Sequence, residues 1–374
     1  MALLISNEDA AKVLTIADCI ESIEEGVKEY YRGDATCRPR LDVWAPSGDP
    51  DGYYQWGSME GTSKRHKVFA TRIKSDIAYW SEYNGVKTQE KYCQRPGKFC
   101  GLILLFSLAN GEPLAIMNDG YIQHMRVGAT AGLAAKYLAR HDAAVVGMIG
   151  SGGMARTHAM AFCAVRKIRR IQVYSPTAKN REAYAREISE KLKIEVDPVE
   201  SPAEAVKGAE IVATCTDSIL PVLKGEWLEE GVLLTTVKGT TEVDDDTLKR
   251  VDIFFTFAPE APSQPEQEKS WKTHAHRISG THRAYVAGRP EDLARIPKVT
   301  KERKVDRRQI VSFKDLFGEK TGGRDNDRQI VSMAGNHIQG IQFASVGGRT
   351  FELIREKGLG REFPTDWLLQ DIRN

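Results

Sequence analysis

The stretch AAVVGMIGSGGMARTHAMAF, residues 143–162, decides the fold. Its first seven residues are wholly apolar, as in a strand buried on both faces. A glycine cluster follows at once, and then an alanine-rich helical pattern. Gly150, Gly152 and Ala155 fit G-x-G-x-x-G/A. On its own that pattern is weak. Lying between a buried strand and a helix, at the head of a βαβ unit ending near Ser175, it reads as a dinucleotide cradle. Gly150 permits the tight turn, Gly152 lets the backbone approach a pyrophosphate, and Ala155 is small enough for the helix to pack on the strand. Ser151, Gly153 and Met154 complete the loop. The helix start turns free N–H groups and a positive dipole end toward phosphate.

Downstream the alternation continues. RIQVYS (170–175), EIVATCT (210–216), VLLTTVK (232–238) and VDIFFTF (251–257) read as strands, with helical segments such as KNREAYAREISEKL (179–192) between them. This is the pattern of an α/β chain with a Rossmann-type, doubly wound parallel sheet. Folds of this kind that bind NAD carry Asp or Glu at the end of the second strand, to hold the ribose 2′-OH. Here Ser175 stands there, followed by Thr177, Lys179 and Arg181. A hydroxyl and two cations suit a 2′-phosphate better than a bare diol. NADP(H) is therefore the expected cofactor, with NAD(H) as the alternative. Thr214 and Thr216, in EIVATCT, are counted with the cofactor-binding residues.

Upstream, residues 6–32 show helical spacing at Ile16, Ile20, Ile23 and Val27, with Ser6 as a cap and Gly33 as a stop. Residues 34–66 hold little periodicity. KVFATRIKSDIAYW (67–80) alternates like a strand, and a polar stretch follows at 81–99. GLILLFSLANGEPLAIMND (101–119) is two apolar runs around Ala-Asn-Gly, the signal of a hairpin. Residues 121–140 form an alanine-rich helix. Residues 258–305 are polar, Pro-rich and charged, as in an irregular insertion. The last 45 or so residues return to helix. The pentapeptide RQIVS occurs at 308–312 and 328–332, too short a repeat to imply a solenoid.

The bulk properties narrow the classes. A chain of 374 residues exceeds what one core usually organises. With 53 basic and 51 acidic residues the net charge is +2, so no basic field points to nucleic acid. No apolar run reaches membrane-spanning length, and the N-terminus has no signal-peptide pattern. Six scattered cysteines without a CxxC pair read as reduced thiols in the cytoplasm. His274, His276 and His282 lack the carboxylate or thiol partners of a metal site, so none is expected.

Four stretches resemble the ornithine cyclodeaminase/mu-crystallin family: HMRVGATAGLAAKYLA (124–139), VVGMIGSGGMARTH (145–158), AEIVATCTDSILPVLKGEWLEEGV (209–232) and QIVSMAGNHIQGIQFASVG (329–347). LLISNEDAAKVL near the N-terminus also fits. The resemblance implies a Rossmann domain over 141–325 inserted in an α+β substrate-binding and dimerisation domain built from 1–140 and 326–374. It implies a homodimer acting on an amino- or imino-acid.

The resemblance also assigns residues. Arg126 matches the substrate-carboxylate arginine, and a planar fork is the natural receiver of a carboxylate. The strand FATRIKSD matches the segment carrying a substrate lysine. Arg72 falls on the lysine position. Lys74, two residues on, shares its face and stands ready to replace it, since Arg is a poor proton donor. Arg40, with Arg38 as rival, fits a third basic position. His124 is a candidate proton donor because its ordinary pKa lies near neutrality.

Cyclodeaminases of the family carry an Asp two residues after the glycine of TTVKGTTEVDDD. Here Thr241 stands there, and it cannot take a proton from an ammonium at neutral pH. In the tail, another family aspartate aligns with Gly340, with Asn336 and Gln339 polar nearby. The first expectation is thus an NAD(P)(H)-dependent oxidoreductase of a C–N bond, of the imine reductase or amino-acid dehydrogenase type. A cyclodeaminase using bound NAD+ and a non-catalytic NADPH binder, crystallin-like or an oxidase accessory subunit, are the alternatives. The aromatic segments 43–59 and 77–83 are candidates for a pocket wall.

Overall fold

The structure is a computed structural model that describes residues 1–83, 85–257, 283–296, 310–333 and 338–372. Its first half builds a largely antiparallel sheet. The elements in chain order are β1 (Ala2–Ile5), α1 (Asn7–Val13), α2 (Ile16–Arg32), β2 (Leu41–Pro46), β3 (Tyr53–Ser63), β4 (Val68–Tyr83), β5 (Val86–Tyr92), β6 (Gly101–Ser107), β7 (Pro113–Asn118) and α3 (Gly120–Leu138). The helical stretch 6–32 is two helices because it holds two capping boxes. Ser6 Oγ accepts the N–H of Asp9, and Thr15 Oγ1 accepts that of Asp18, each at 3.1 Å. Gly33, at φ +79°, ends the second helix in the left-handed conformation. β6 and β7 pair as the hairpin that Ala109-Asn110-Gly111 signals.

The second half alternates strand and helix: β8 (Val145–Ile149), α4 (Gly153–Val165), β9 (Arg170–Tyr174), α5 (Ala178–Leu192), β10 (Glu195–Pro198), α6 (Pro202–Val206), β11 (Ile211–Thr214), β12 (Leu233–Thr236), α7 (Asp245–Arg250) and β13 (Ile253–Thr256). The remaining described elements are β14 (Arg283–Val286), α8 (Pro290–Leu293), β15 (Ile310–Ser312), α9 (Phe313–Phe317), β16 (Val331–Met333), α10 (Gln339–Glu356) and β17 (Arg361–Phe363). The second sheet has the order β10-β9-β8-β11-β12-β16-β13-β15, and its strand pairs are all parallel. The chain runs outward from β8 to β10, then returns to lay β11 on the other side of β8. That reversal makes the crevice at the carboxyl ends of β8 and β11 the place for a ligand.

Several expectations need correction. Residues 34–66 and 81–99 contain β2, β3 and β5, which extend the first sheet beyond β4. The insertion at 258–305 is not wholly irregular. Its β14 crosses to the first sheet and pairs with β2 in parallel, and the Tyr53 hydroxyl donates to the Ala287 carbonyl. Conversely β16, beyond residue 325, lies inside the second sheet between β12 and β13. Local pattern could not reveal either crossing, because both depend on pairing between distant segments.

Helix α3 joins the two sheets. It is buried nearly throughout, and its small residues let α4 come close. A Cβ on Gly128 would lie 2.6 Å from the Thr157 carbonyl carbon, and one on Gly132 would lie 2.8 Å from the Ala161 Cβ. One hydrophobic core thereby runs from Ile5, Ile23 and Met117 through Leu133 to Val146 and Ile171. No helix among the described residues is long and apolar enough to cross a membrane.

Candidate active site

The turn after β8 is built for close approach. Gly150 has φ +112° and donates its N–H to the Tyr174 carbonyl at 2.8 Å, and any Cβ there would overlap the Cys215 carbonyl oxygen. Gly152 is extended, with open space where a Cβ would stand. It caps α4 without a side chain, so the first N–H groups of the helix are left for an anion. Ala155 is fully buried, and its carbonyl accepts the Tyr184 hydroxyl at 3.1 Å. Ser151 Oγ donates to Ser175 Oγ at 3.0 Å, and Arg156 Nη1 donates to the Ser151 carbonyl at 2.5 Å. These residues fit a dinucleotide: Gly150, Ser151, Gly152, Gly153 and Met154 would face its phosphates.

Beyond β9, Ser175 is buried while Thr177 and Lys179 are exposed. Arg181 is buried, donating from Nη1 to the Ser175 carbonyl at 3.1 Å and from Nη2 to the Glu200 carboxylate. Its guanidinium is already employed in holding the turn. Thr214 and Thr216 are engaged as well. Both hydroxyls donate to the Glu242 carboxylate, at 2.9 and 2.6 Å, and that carboxylate also accepts the backbone N–H of Thr216 and of Lys238. Glu242 thus knits the end of β11 to the turn after β12.

The basic residues gather on one face of the first sheet. Arg72 and Lys74 alternate on β4 and are both buried. Arg72 Nε donates to Asp119 Oδ2 at 2.6 Å, and Lys74 Nζ to Asp76 Oδ2 at 2.8 Å. Arg40, just before β2, donates to Asp42 Oδ1 at 3.0 Å. Gly57 of β3 lies between the last two pairs. A Cβ there would overlap Asp42 Oδ1 and crowd Lys74 Cε, so glycine lets the pairs meet. Arg126 of α3 is buried and has neutral partners: Gln123 Oε1 accepts from its Nε and Nη2, and Gln342 Oε1 accepts from Nη1 at 2.9 Å. Its guanidinium lies 4.8 Å from the centre of the Phe343 ring. Arg38 instead pairs with Glu60 and is half-exposed.

Crowding tunes these groups. Burial, reinforced by the charge of Arg72, pushes Arg126 down to about 9. Burial, with Lys91 and Arg40 nearby, lowers Lys74 well below the ordinary lysine range. The buried oxygens Asp76 Oδ1 and Asp119 Oδ1 have no hydrogen-bond partner among the described residues. His124 lies where a Cβ on Gly153 would be, 2.8 Å from its Nε2, so it bridges the basic cluster and the dinucleotide loop. Burial lowers His124, with Asp119 opposing, so it is neutral at pH 7.

Sequence reasoning missed Asp42, Asp76, Asp119, Gln342, Lys91 and Lys238, and weighed Glu242 only as a shifted counterpart of the family's aspartate. K-x-D in RIKSD was the available signal for Asp76, since alternate strand residues share a face. The other contacts join distant segments. Two further expectations receive a local explanation. Thr241 lies in the 3₁₀ turn Gly239–Glu242. A side chain at Gly340 would overlap the Glu60 carbonyl oxygen, so no aspartate fits there. The aromatic segments meet in a cluster of Trp44, Tyr53 and Trp80 with Ala284 and Ile296, with Trp44 and Trp80 stacked at 6.3 Å. His274, His276, His282 and Asn336 lie outside the described residues, among which no group of His, Cys, Asp and Glu could hold a metal ion.

Fold and site together define a dinucleotide-binding fold with a cluster of buried basic side chains beside its glycine loop. The ornithine cyclodeaminase/mu-crystallin family model matches residues 3–344, and the chain belongs to that family. It is 38% identical over 137 residues to the Delta(1)-pyrroline-2-carboxylate reductase of Bacillus cereus, a match covering 37% of this chain and 42% of the relative's length. It is 26% identical over 259 residues to the alanine dehydrogenase of Archaeoglobus fulgidus, covering 67% of this chain and 72% of that one. Among solved structures, the Thermococcus litoralis Delta(1)-pyrroline-2-carboxylate reductase in complex with NADH and L-proline superposes with a TM-score of 0.72. The identity is 26%, over 96% of this chain and 100% of that chain.

Proposed function

We propose that this protein is an NAD(P)(H)-dependent oxidoreductase of a C–N bond, reducing an imino acid or ketimine, or in reverse oxidising an amino acid. The observation that carries the reading is Arg126. It is a buried guanidinium whose hydrogen-bond partners among the described residues are the amides of Gln123 and Gln342, next to His124 and hence to the dinucleotide loop. When bound, the dinucleotide supplies or takes up the hydride at the substrate carbon. Arg126 receives the carboxylate in bidentate fashion. Arg72, locked to Asp119 at 2.6 Å, adds a buried cation near Arg126. Lys74 gives a proton to the substrate nitrogen, because burial has made its ammonium acidic, and Asp76 fixes its direction. His124 packs its ring against the loop at Gly153.

NADP(H) is the preferred cofactor in this reading, through Ser175, Thr177 and Lys179, with Arg181 tied to Glu200 and contributing through the shape of the turn. The outer face of the first sheet supports a homodimer. Phe69, Ile73, Leu102, Leu104, Phe106 and Ile116 alternate with the core residues and stay only half-buried. All six cysteines are free thiols, in keeping with a cytoplasmic protein.

The test is oxidation of NADPH and NADH across a panel of cyclic and acyclic imino acids. Turnover that is lost in Arg126→Ala supports the proposal. Ammonia release from a diamino acid without net consumption of reduced cofactor would instead make it a cyclodeaminase, against the grain of Thr241 and Gly340. Tight NADPH binding with no turnover on the whole panel would make it a binder.

A further inference from the structure

The cations of the pocket do not balance. Arg40, Arg72 and Lys74 each have an aspartate, and Arg126 awaits the substrate carboxylate. Lys91 and Lys238 are left over: among the described residues neither has a carboxylate within ion-pair distance. Lys91 lies directly opposite Ala78, so on the β4–β5 pair it shares the face of Lys74 and Asp76. Lys238 follows β12 in the second sheet, and its Nζ donates to the Asp217 carbonyl at 2.6 Å.

The same carbonyl receives the other sheet. Gln89 N donates to Asp217 O at 3.3 Å, Ile219 N donates to Lys87 O at 2.9 Å, and Thr88 stands opposite Ser218. One lysine from each sheet therefore flanks a backbone clasp between them. The clasp lies beyond the carboxyl ends of β11 and β12, on the ligand side of the dinucleotide sheet.

Resting on the oxidoreductase reading, we infer that the substrate carries a second anionic group, a carboxylate distal to the one on Arg126, and that Lys91 and Lys238 accept it from the two sides of the cleft. None of the neighbouring acids forms an ion pair with either lysine among the described residues. Asp42 holds Arg40, Asp76 gives one oxygen to Lys74 while its other stays unpartnered and beyond ion-pair distance of Lys91, Glu242 is bound by four donors, and Asp217 is exposed. Burial, with Arg40 and Lys238 nearby and Asp76 and Asp42 opposing, pushes Lys91 down to about 8, and burial lowers Lys238 against the pull of Asp217 and Glu242. An anion between them relieves both. A dicarboxylic imino acid is the class of substrate that supplies it.

The experiment compares imino acids of matched size with one and with two carboxylates, in the wild type and in Lys91→Gln and Lys238→Gln, with NADPH affinity followed separately by its fluorescence. The dicarboxylate should be preferred, and each substitution should lower the dicarboxylate-to-monocarboxylate ratio of kcat/KM by about ten-fold or more, as for loss of a charged hydrogen bond. Equal loss for both substrates, or loss confined to NADPH affinity, overturns the inference. If neither substrate turns over, the oxidoreductase reading has failed. Calorimetry of a dicarboxylic amino acid with the NADP+ complex then decides separately: binding weakened by either substitution supports the lysine pair, and binding indifferent to both refutes it.

Discussion

Thr216 is fastened to Glu242 twice: its backbone N–H at 3.0 Å and its hydroxyl at 2.6 Å both donate to the same carboxylate oxygen, Oε1. The other oxygen, Oε2, accepts the backbone N–H of Lys238 at 2.8 Å and the Thr214 hydroxyl at 2.9 Å. Hydroxyls can rotate away from a changed partner, but backbone N–H groups cannot. Because each oxygen faces one, a Gln at 242 must aim its NH2 at a backbone donor whichever way it turns. Glu242→Gln should therefore cost about 1–3 kcal/mol of stability, read as a lowered Tm, and loosen the turn that carries Lys238. Cofactor KM should rise more than kcat falls. A variant with wild-type Tm and cofactor KM would show that this carboxylate is dispensable.

The pocket should announce Lys74 in its pH profile. For imine reduction the protonated amine is the active form, so kcat should fall as pH rises through its pKa. That pKa is held well below 10.5 by burial first, and then by Lys91 and Arg40, with Asp76 and Asp42 opposing. Lys74→Met should lower kcat by about 10²–10⁴-fold, the usual yield of a positioned general acid. Lys74→Arg, which cannot release its proton, should be slow and should lose the alkaline limb. An unchanged limb in Lys74→Arg would assign the proton to another group.

Five strands of the Rossmann half, β8, β9, β11, β12 and β13, were legible because their signals are local, continuous apolar runs and a glycine loop, while the short β10, β15 and β16 were not. The first sheet was legible only where hydrophobic alternation survives, in β4, β6 and β7. In β3 the alternation fails for a physical reason. Its buried positions are Tyr53, Gln55, Gly57, Ser58, Met59, Gly61 and Ser63, and the glycines are there because Asp42, Lys74 and the backbone of α10 press against them. Function and close packing have erased the apolar pattern. Pairings such as Arg72 with Asp119, 47 residues apart, have no sequence signal short of the folded sheet. Arg126 was found by resemblance, since an Arg on an alanine-rich helix is otherwise unremarkable.

Cofactor choice should turn on Ser175. It is buried beside Ser151, where an acidic side chain would meet the ribose 2′-OH and repel a 2′-phosphate. Ser175→Asp should raise KM for NADPH by about ten-fold or more, and improve NADH relative to it. Lys179→Ala should weaken NADPH alone, and less, because Lys179 is exposed. Arg181→Ala should lower Tm as well as NADPH affinity, since its fork also holds Ser175 and Glu200. Equal use of both cofactors by the wild type would refute the preference.

Acid should loosen the join between α2 and α3 at Glu24. Burial by itself would raise this carboxyl, but bonds from Lys136 at 2.5 Å, Lys28 at 2.7 Å and the Tyr137 hydroxyl at 2.7 Å outweigh it and bring it down to about 2. A carboxyl depressed in the fold stabilises it wherever the unfolded group is ionised. That stability is fully present above about pH 4.5 and is lost as pH falls toward 2. After allowance for solvent screening the contribution is about 1–2 kcal/mol. Glu24→Gln should lower Tm at pH 7, and the gap from wild type should narrow between pH 4.5 and the folded value near 2. A gap that held constant to the acid limit would trace the loss to packing and not to the charge.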